Sequence, residues 1–329
     1  MENEIAITTI ETNIIPLPLT TKSGLANPYI PLATSNNTRK AYQSDIRHYE
    51  SWGGKLPATP NIIANYLHAF ADKLNHRTLS RRLVAIKHWH TYQGFADPTL
   101  HPAIQKTMIG IMRTHGKPKE KAKPLTPDDL TKIHHNLINQ NTLAATRDDA
   151  LLQIGFFGAL RRSELVAIHV EHIKWENAGI DILLPSSKTD QTHEGQYCAI
   201  PNGNDILCPV TALKNWLTLS GINTGAVFRS ISRREQIFSQ ALAPLTVNQI
   251  LKKRAEEANV PDGHLLSAHS LRRGLATSAA RAGAPLQAIM RAGRWKQTNT
   301  VMEYIEAVER FEDNAVINVL QKMNNHSDG

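Results

Sequence analysis

The sequence predicts a mainly α-helical protein in two parts. An all-helical N-terminal domain precedes a mixed, mostly helical C-terminal domain that holds a small three-stranded antiparallel sheet. Three observations predict this. Apolar residues recur at helical spacing through most of the chain. Short strand-like runs separated by turns follow one another between His172 and Ile200. Between the two parts lies Gly116-Lys117-Pro118-Lys119-Glu120-Lys121-Ala122-Lys123-Pro124, whose alternating lysines and flanking prolines read as an extended, basic linker.

A chain of 329 residues, 41% of them hydrophobic, suits about two packed domains. Its longest apolar run, Ala150–Leu160, is interrupted by Gln153 and falls short of the ~20 residues of a membrane span. The start, Met1-Glu2-Asn3-Glu4, is acidic where a signal peptide would be basic, so the expectation is a cytoplasmic protein with no membrane partner. Cys198 and Cys208 are too few for a disulfide framework or a four-cysteine zinc site. Charge is unevenly spread: Ser35–Leu125 carries fifteen Lys and Arg against five Asp and Glu, in a chain whose net charge is +8. The excess therefore sits in one segment. It fits a solvated surface or, more sharply, a face for a polyanion such as DNA.

In order, residues 1–34 lack a clear period, are punctuated by Pro16, Pro18, Pro28 and Pro31, and read as a loosely docked arm. Four helices follow in 35–115. The first is capped within Ser35–Thr38 and runs through Tyr42, Ile46 and Tyr49; the second starts at Thr59-Pro60. The third spans about Thr78–Tyr92 and the fourth Pro102–Arg113. The third gathers Arg77, Arg81, Arg82 and Lys87 on a face opposite Leu79, Leu83 and Ile86, a face suited to phosphates or to solvent. After the linker 116–124, Thr126-Pro127-Asp128-Asp129 opens a helix to about Asn139, and another runs Leu143–Gly158. Gly158-Ala159-Leu160-Arg161-Arg162-Ser163-Glu164-Leu165 breaks at glycine and restarts at a Ser-Glu cap, which puts Arg161 at a helix–helix junction. Strands are expected at His172–Trp175, Ile180–Leu184 and Gln196–Ile200, with Lys188 in the turn between the last two. Helices resume at Pro209–Leu219, Thr246–Asn259 and from Ser267 onward, ending in an amphipathic stretch Glu309–Met323.

His269 and Arg272 stand three apart, so on a helix they share a face and can hold one anion: the ring nitrogen donates, and the guanidinium fork matches two phosphate oxygens. Tyr304, further on, is then a candidate nucleophile for a phosphate held by that pair. Singly, each residue also fits an ordinary packing or surface role. In each doublet, Arg161-Arg162 and Arg272-Arg273, one member is expected to be surface.

From about Ser35 to Met323 the ordered elements and motifs resemble the tyrosine recombinases, or phage integrases, and in the C-terminal stretch their Cre-like branch. Gly158–Leu165 matches the motif of the first catalytic arginine, which falls on Arg161, with Glu164 in its acidic, supporting position. Lys188 falls on the hairpin lysine, and His269-Ser270-Leu271-Arg272 on the His-x-x-Arg box. Trp295 in Gly293-Arg294-Trp295 stands where many members carry a second histidine, so an indole N–H would replace imidazole. Tyr304 falls on the nucleophile.

The resemblance implies a two-domain C-clamp: a core-binding domain at 35–115, the basic linker, and a catalytic domain at 125–329 with a C-terminal helix. It implies strand cutting and rejoining through a 3′-phosphotyrosine and a Holliday junction, with no metal, ATP or other cofactor. The implied partners are double-stranded DNA at a specific inverted-repeat site and three further copies of the chain, the C-terminal helix docking in trans. Arg77, Arg81, Arg82, Lys87, Lys117, Lys119, Lys121 and Lys123 are the expected DNA contacts, and a bacterial, phage or plasmid setting at the nucleoid goes with them. A type IB topoisomerase, which would act without partner subunits, and a DNA protein that binds without cleaving stand as alternatives.

Overall fold

Capping residues set the helix starts of the first unit. Ser35 caps α1 (Asn36–Ser51), Thr59 with Pro60 caps α2 (Pro60–Ala69), Asn75 caps α3 (His76–Tyr92) and His101 with Pro102 caps α4 (Pro102–His115). Each side chain accepts a backbone N–H that the helix leaves unpaired. In this computed structural model the described residues are 33–118, 122–185, 195–309 and 316–317. The chain divides into two compact units, Met1–Glu120 and Lys121–Gly329. Nearly all of the predicted arm 1–34 lies outside the described residues.

The four helices of the first unit close around Ile46, Tyr49, Ile63, Tyr66, Leu67, Leu79, Ile86 and Ile104. Arg82 does not belong to the exposed basic face. It is 8% exposed, and its Nη1 donates to the Tyr66 hydroxyl at 2.8 Å while its Nε lies 3.6 Å from the Asp45 carboxylate. Its neighbour Arg81 reaches the same carboxylate from outside, with two hydrogen bonds of 2.8 Å. A buried carboxylate needs such partners, and two arginines supply them. Successive helical positions point about 100° apart, so one arginine of the doublet faces inward.

The second unit is built around α6 (Leu143–Phe157), which is buried on nearly every side. Against it pack α5 (Pro127–Gln140) and α8 (Pro209–Ser220). Its polar residues are answered internally: Asp148 takes Arg147 at 2.6 Å and Arg254 at 2.8 Å, and Asp149 takes His134 at 2.8 Å. Arg254 comes from α9 (Pro244–Glu257), which starts two residues earlier than the sequence suggests because Pro244 takes the first turn.

The sheet is β1 (Ile173–Glu176), β2 (Gly179–Leu184) and β3 (Gln196–Pro201), antiparallel in the order β1-β2-β3. Ile180 pairs with Ile200 and Ile182 with Cys198, so the buried side chains lie on one face. A second, two-stranded sheet of β4 (Arg229–Ile231) and β5 (Ile237–Ala241) joins α8 to α9, where no strand was expected. Between α6 and β1 sits the five-residue α7 (Arg162–Val166). The chain closes with α10 (Ala268–Arg281), α11 (Leu286–Gly293) and α12 (Thr298–Glu309). Of the expected final helix Glu309–Met323, only residue 309, at the end of α12, and residues 316–317 are described. Among the described residues, no helix is long and apolar enough to cross a membrane.

Candidate active site

Arg161 is delivered by a tight break between α6 and α7. Gly158 ends α6, Ala159 turns left-handed at φ 44°, and Leu160 is buried as an anchor. Arg161 itself is the N-cap of α7. The cap does not use Ser163, which is exposed. Instead the Glu164 carboxylate reaches back to accept the Arg161 backbone N–H at 2.9 Å and pairs with its guanidinium. At 4% exposure, Glu164 is a buried charge whose partner is the residue it positions.

Arg272 comes from the second turn of α10, whose first turn is closed by the Ser270 hydroxyl accepting the Ser267 backbone N–H at 3.0 Å. It is 2% exposed and donates from Nη1 to the Ala159 carbonyl at 2.5 Å, while its Nη2 is buried with no hydrogen-bond partner. Burial pushes its pKa down to about 10, with Arg161 and Arg294 adding repulsion and Glu164 opposing. A guanidinium this short of counter-charge, with a free buried donor, is chemically suited to take an anion.

Tyr304 projects from α12 beside it, 7% exposed. Its hydroxyl lies 2.9 Å from His269 Nε2, with the two rings 5.9 Å apart and steeply inclined. Burial pushes the phenol pKa up, while Arg272, Arg273 and Arg161 pull it back. Trp295 lies over Arg272, its ring centroid 4.3 Å from the guanidinium carbon, and 6.1 Å from the Tyr304 ring. Its place depends on Gly293, where a Cβ would come within 1.7 Å of the indole. The indole, expected as a hydrogen-bond donor, is placed as a cation–π lid on the arginine.

Arg161, Glu164, His269, Arg272, Trp295 and Tyr304 therefore come together. Lys188 lies outside the described residues. Lys174, the other lysine of that region, is exposed on β1 and pairs with Glu176 at 2.6 Å. Two residues were missed. Arg273, half of a doublet expected to place one member on the surface, is buried beside buried Arg272: its Nη1 donates to the Ala122 carbonyl at 2.7 Å, and its guanidinium lies 5.5 Å from the Tyr304 ring. Arg294 enters from a left-handed turn, and its only sequence signal was its place between Gly293 and Trp295.

Of the expected DNA contacts, Arg77 donates to the Lys117 carbonyl at 3.3 Å, Lys87 lies 3.4 Å from Asp97, and Lys123 donates to the Pro261 carbonyl at 2.6 Å. Lys117 is exposed, and Lys119 and Lys121 lie outside the described residues. No group of three or more His, Cys, Asp or Glu among the described residues could hold a metal ion.

Residues 123–310 match the phage integrase family. The chain is 36% identical over 297 residues to an integrase/recombinase XerD homolog of Selenomonas ruminantium, covering 88% of this chain and 86% of that one. It is 27% identical over 316 residues to the Cre recombinase of Escherichia phage P1, covering 88% and 89%. Among solved structures it resembles XerH recombinase bound to palindromic difH substrate in a post-cleavage complex, with a TM-score of 0.62 at 16% identity over 85% of this chain and 78% of that one. The chain belongs to the phage integrase family, the site-specific tyrosine recombinases.

Proposed function

We propose that this recombinase cuts and rejoins double-stranded DNA through a 3′-phosphotyrosine at Tyr304. The observation that carries this is the 2.9 Å contact between His269 Nε2 and the Tyr304 hydroxyl, made beside the buried, anion-seeking Arg272. Arg161 and Arg272 hold the non-bridging oxygens, whose negative charge grows as the phosphorus is attacked. The Tyr304 oxygen forms the new bond to phosphorus, and His269 accepts its proton or bonds to the phosphate. The bond to the 5′-oxygen breaks, and Lys188 is the group assigned to protonate it. The reverse step, with a 5′-hydroxyl as attacker, restores the phosphodiester, so the energy of the cut bond is kept in the protein–DNA ester.

In this reading 35–115 grips the duplex with Arg77, Arg81 and Lys87, and the linker 116–124 follows it with its lysines. Residues 125–329 perform the chemistry, and the whole acts in the cytoplasm at the nucleoid. Four copies assemble on paired inverted-repeat sites, exchange strands through a Holliday junction, and exchange C-terminal helices. The palindromic substrate of the XerH complex supports the inverted-repeat site.

The test is a covalent trap. The protein is incubated with a random-sequence duplex pool and denatured in detergent, and the DNA that stays attached is sequenced. An adduct formed by the wild type and absent with Tyr304→Phe is expected. An adduct that survives the substitution moves the nucleophile elsewhere, and duplex binding without any adduct leaves a protein that binds but does not cut.

A further inference from the structure

Arg294 occupies a position whose backbone favours glycine. It ends α11 at φ 56°, in the left-handed region where a side chain is a penalty, and helix ends of this kind usually carry Gly. A turn alone would be better made without a side chain. Yet the Arg294 side chain is only 7% exposed and runs into the site. Its Nη2 donates to the Gly158 carbonyl at 2.9 Å, lies 3.4 Å from the Ala159 carbonyl and stands 3.7 Å from the Glu164 carboxylate. The Ala159 carbonyl is the one that Arg272 also uses, and Glu164 is the carboxylate that caps and pairs Arg161. Three arginines thus share two peptide carbonyls and one carboxylate. Ala159 is itself left-handed, so two strained residues face each other across these bonds. Arg294 also neighbours Trp295, the ring that covers Arg272.

We propose that Arg294 is a positioning residue for strand cleavage: it ties the α11–α12 segment to the Gly158–Ala159 break and so sets Arg161 and Arg272 against Tyr304. This rests on the reading that Tyr304 attacks a phosphate held by those two arginines. Arg294 acts from behind, through the carbonyls and Glu164. The fork geometry matters, because Nη1 donates to the Ala292 carbonyl at 3.1 Å while Nη2 reaches the Gly158 carbonyl, a planar two-armed span from the end of α11 to the break that a point-charge ammonium does not reproduce.

The test compares Arg294→Gly and Arg294→Lys with the wild type, measuring single-turnover adduct formation and affinity on a duplex recovered by the covalent trap. Glycine relieves the backbone; lysine keeps the charge and serves as the second variant should glycine fail to fold. Both are expected to bind the duplex as the wild type does and to form adduct about 100-fold more slowly, the cost of a small misplacement of reacting groups. Wild-type rates in either variant overturn the proposal, and so does a loss of duplex affinity that accounts for the loss of rate. Tyr304→Phe runs alongside: an adduct that persists there overturns the nucleophile and, with it, the alignment claimed for Arg294. If the wild type yields no adduct, binding of orthovanadate, a phosphate mimic, is measured by calorimetry. Roughly tenfold weaker binding in both variants supports the tie, and unchanged binding in either overturns it.

Discussion

Arg161 and Arg272 stand on the large core of the second unit, while Tyr304 stands on a small cluster of its own. Leu160, Leu165 and Leu271, the apolar neighbours of the two arginines in sequence, belong to a continuous core that also takes in α6, the three-stranded sheet, α8 and α9. Tyr304 packs instead with Ala276, Ile289, Val301 and Ile305, which α10, α11 and α12 contribute. A large core is close-packed and resists local change, whereas a small cluster opens at lower cost. The difference assigns stiffness to the part that holds charge and compliance to the part that carries Tyr304, the proposed nucleophile. Arg272 is held by a carbonyl and an indole before any substrate arrives, so its alignment is set in advance.

The largest effect that would sharpen this contrast comes from the clamp itself. Arg272→Ala should slow adduct formation by about 10²–10³-fold in single-turnover assays, with duplex affinity little changed. Its thermal midpoint should hold or rise, because a buried charge with a free donor is removed. A fall in midpoint would make Arg272 a structural residue first.

Matched truncations come next. Ile154→Ala in α6 should cost toward the upper end of about 2–5 kcal/mol in denaturant unfolding, and Ile289→Ala in α11 toward the lower end, since a small cluster can collapse around the gap. Ile289→Ala should also slow adduct formation, and the amides of α11 and α12 should exchange hydrogen faster than those of α6. Equal losses of stability, or equal exchange, would erase the distinction between the two regions.

The smallest effect is a pH dependence confined to the stiff part. The hydrogen bond that His134 donates to the Asp149 carboxylate raises the pKa of His134, which joins α5 to α6. A raised folded pKa means that the charged pair stabilises the fold fully below the ordinary histidine value and loses that contribution as pH rises through the folded value. The thermal midpoint of the wild type should therefore exceed that of His134→Gln by more at mildly acid pH than at alkaline pH. A gap that widens with rising pH would reverse the assignment.

The helices of both units were legible because their periods, caps and prolines agree with their burial, as at Thr126-Pro127 and Thr59-Pro60. His269, Arg272 and Tyr304 were legible because a short spacing and a resemblance pointed to the same chemistry. Arg82 was misread because a doublet on a helix has no sequence mark for which member turns inward; Asp45 and Tyr66, on other helices, decide it. The hairpin of β4 and β5 was missed because β4 is half-buried throughout, β5 is mostly exposed, and neither shows a buried alternation. Arg294 was passed over because its importance lies in a backbone angle and in partners more than a hundred residues away.

The ion pairs of α6 have a consequence for angular indexing. A helix buried all round could slide or rotate among similar apolar neighbours, but Arg254 of α9 engages Asp148, His134 of α5 engages Asp149, and Arg147 donates to the Arg229 carbonyl, which fixes it in one setting. Every residue inserted into a helix turns the chain beyond it by about 100°. The aspartates therefore act as an index mark, and Arg161, one turn beyond the helix end, inherits its bearing from them. An alanine inserted between Asp149 and Phe157 would keep the mark and the motif intact and still aim Arg161 away from Tyr304.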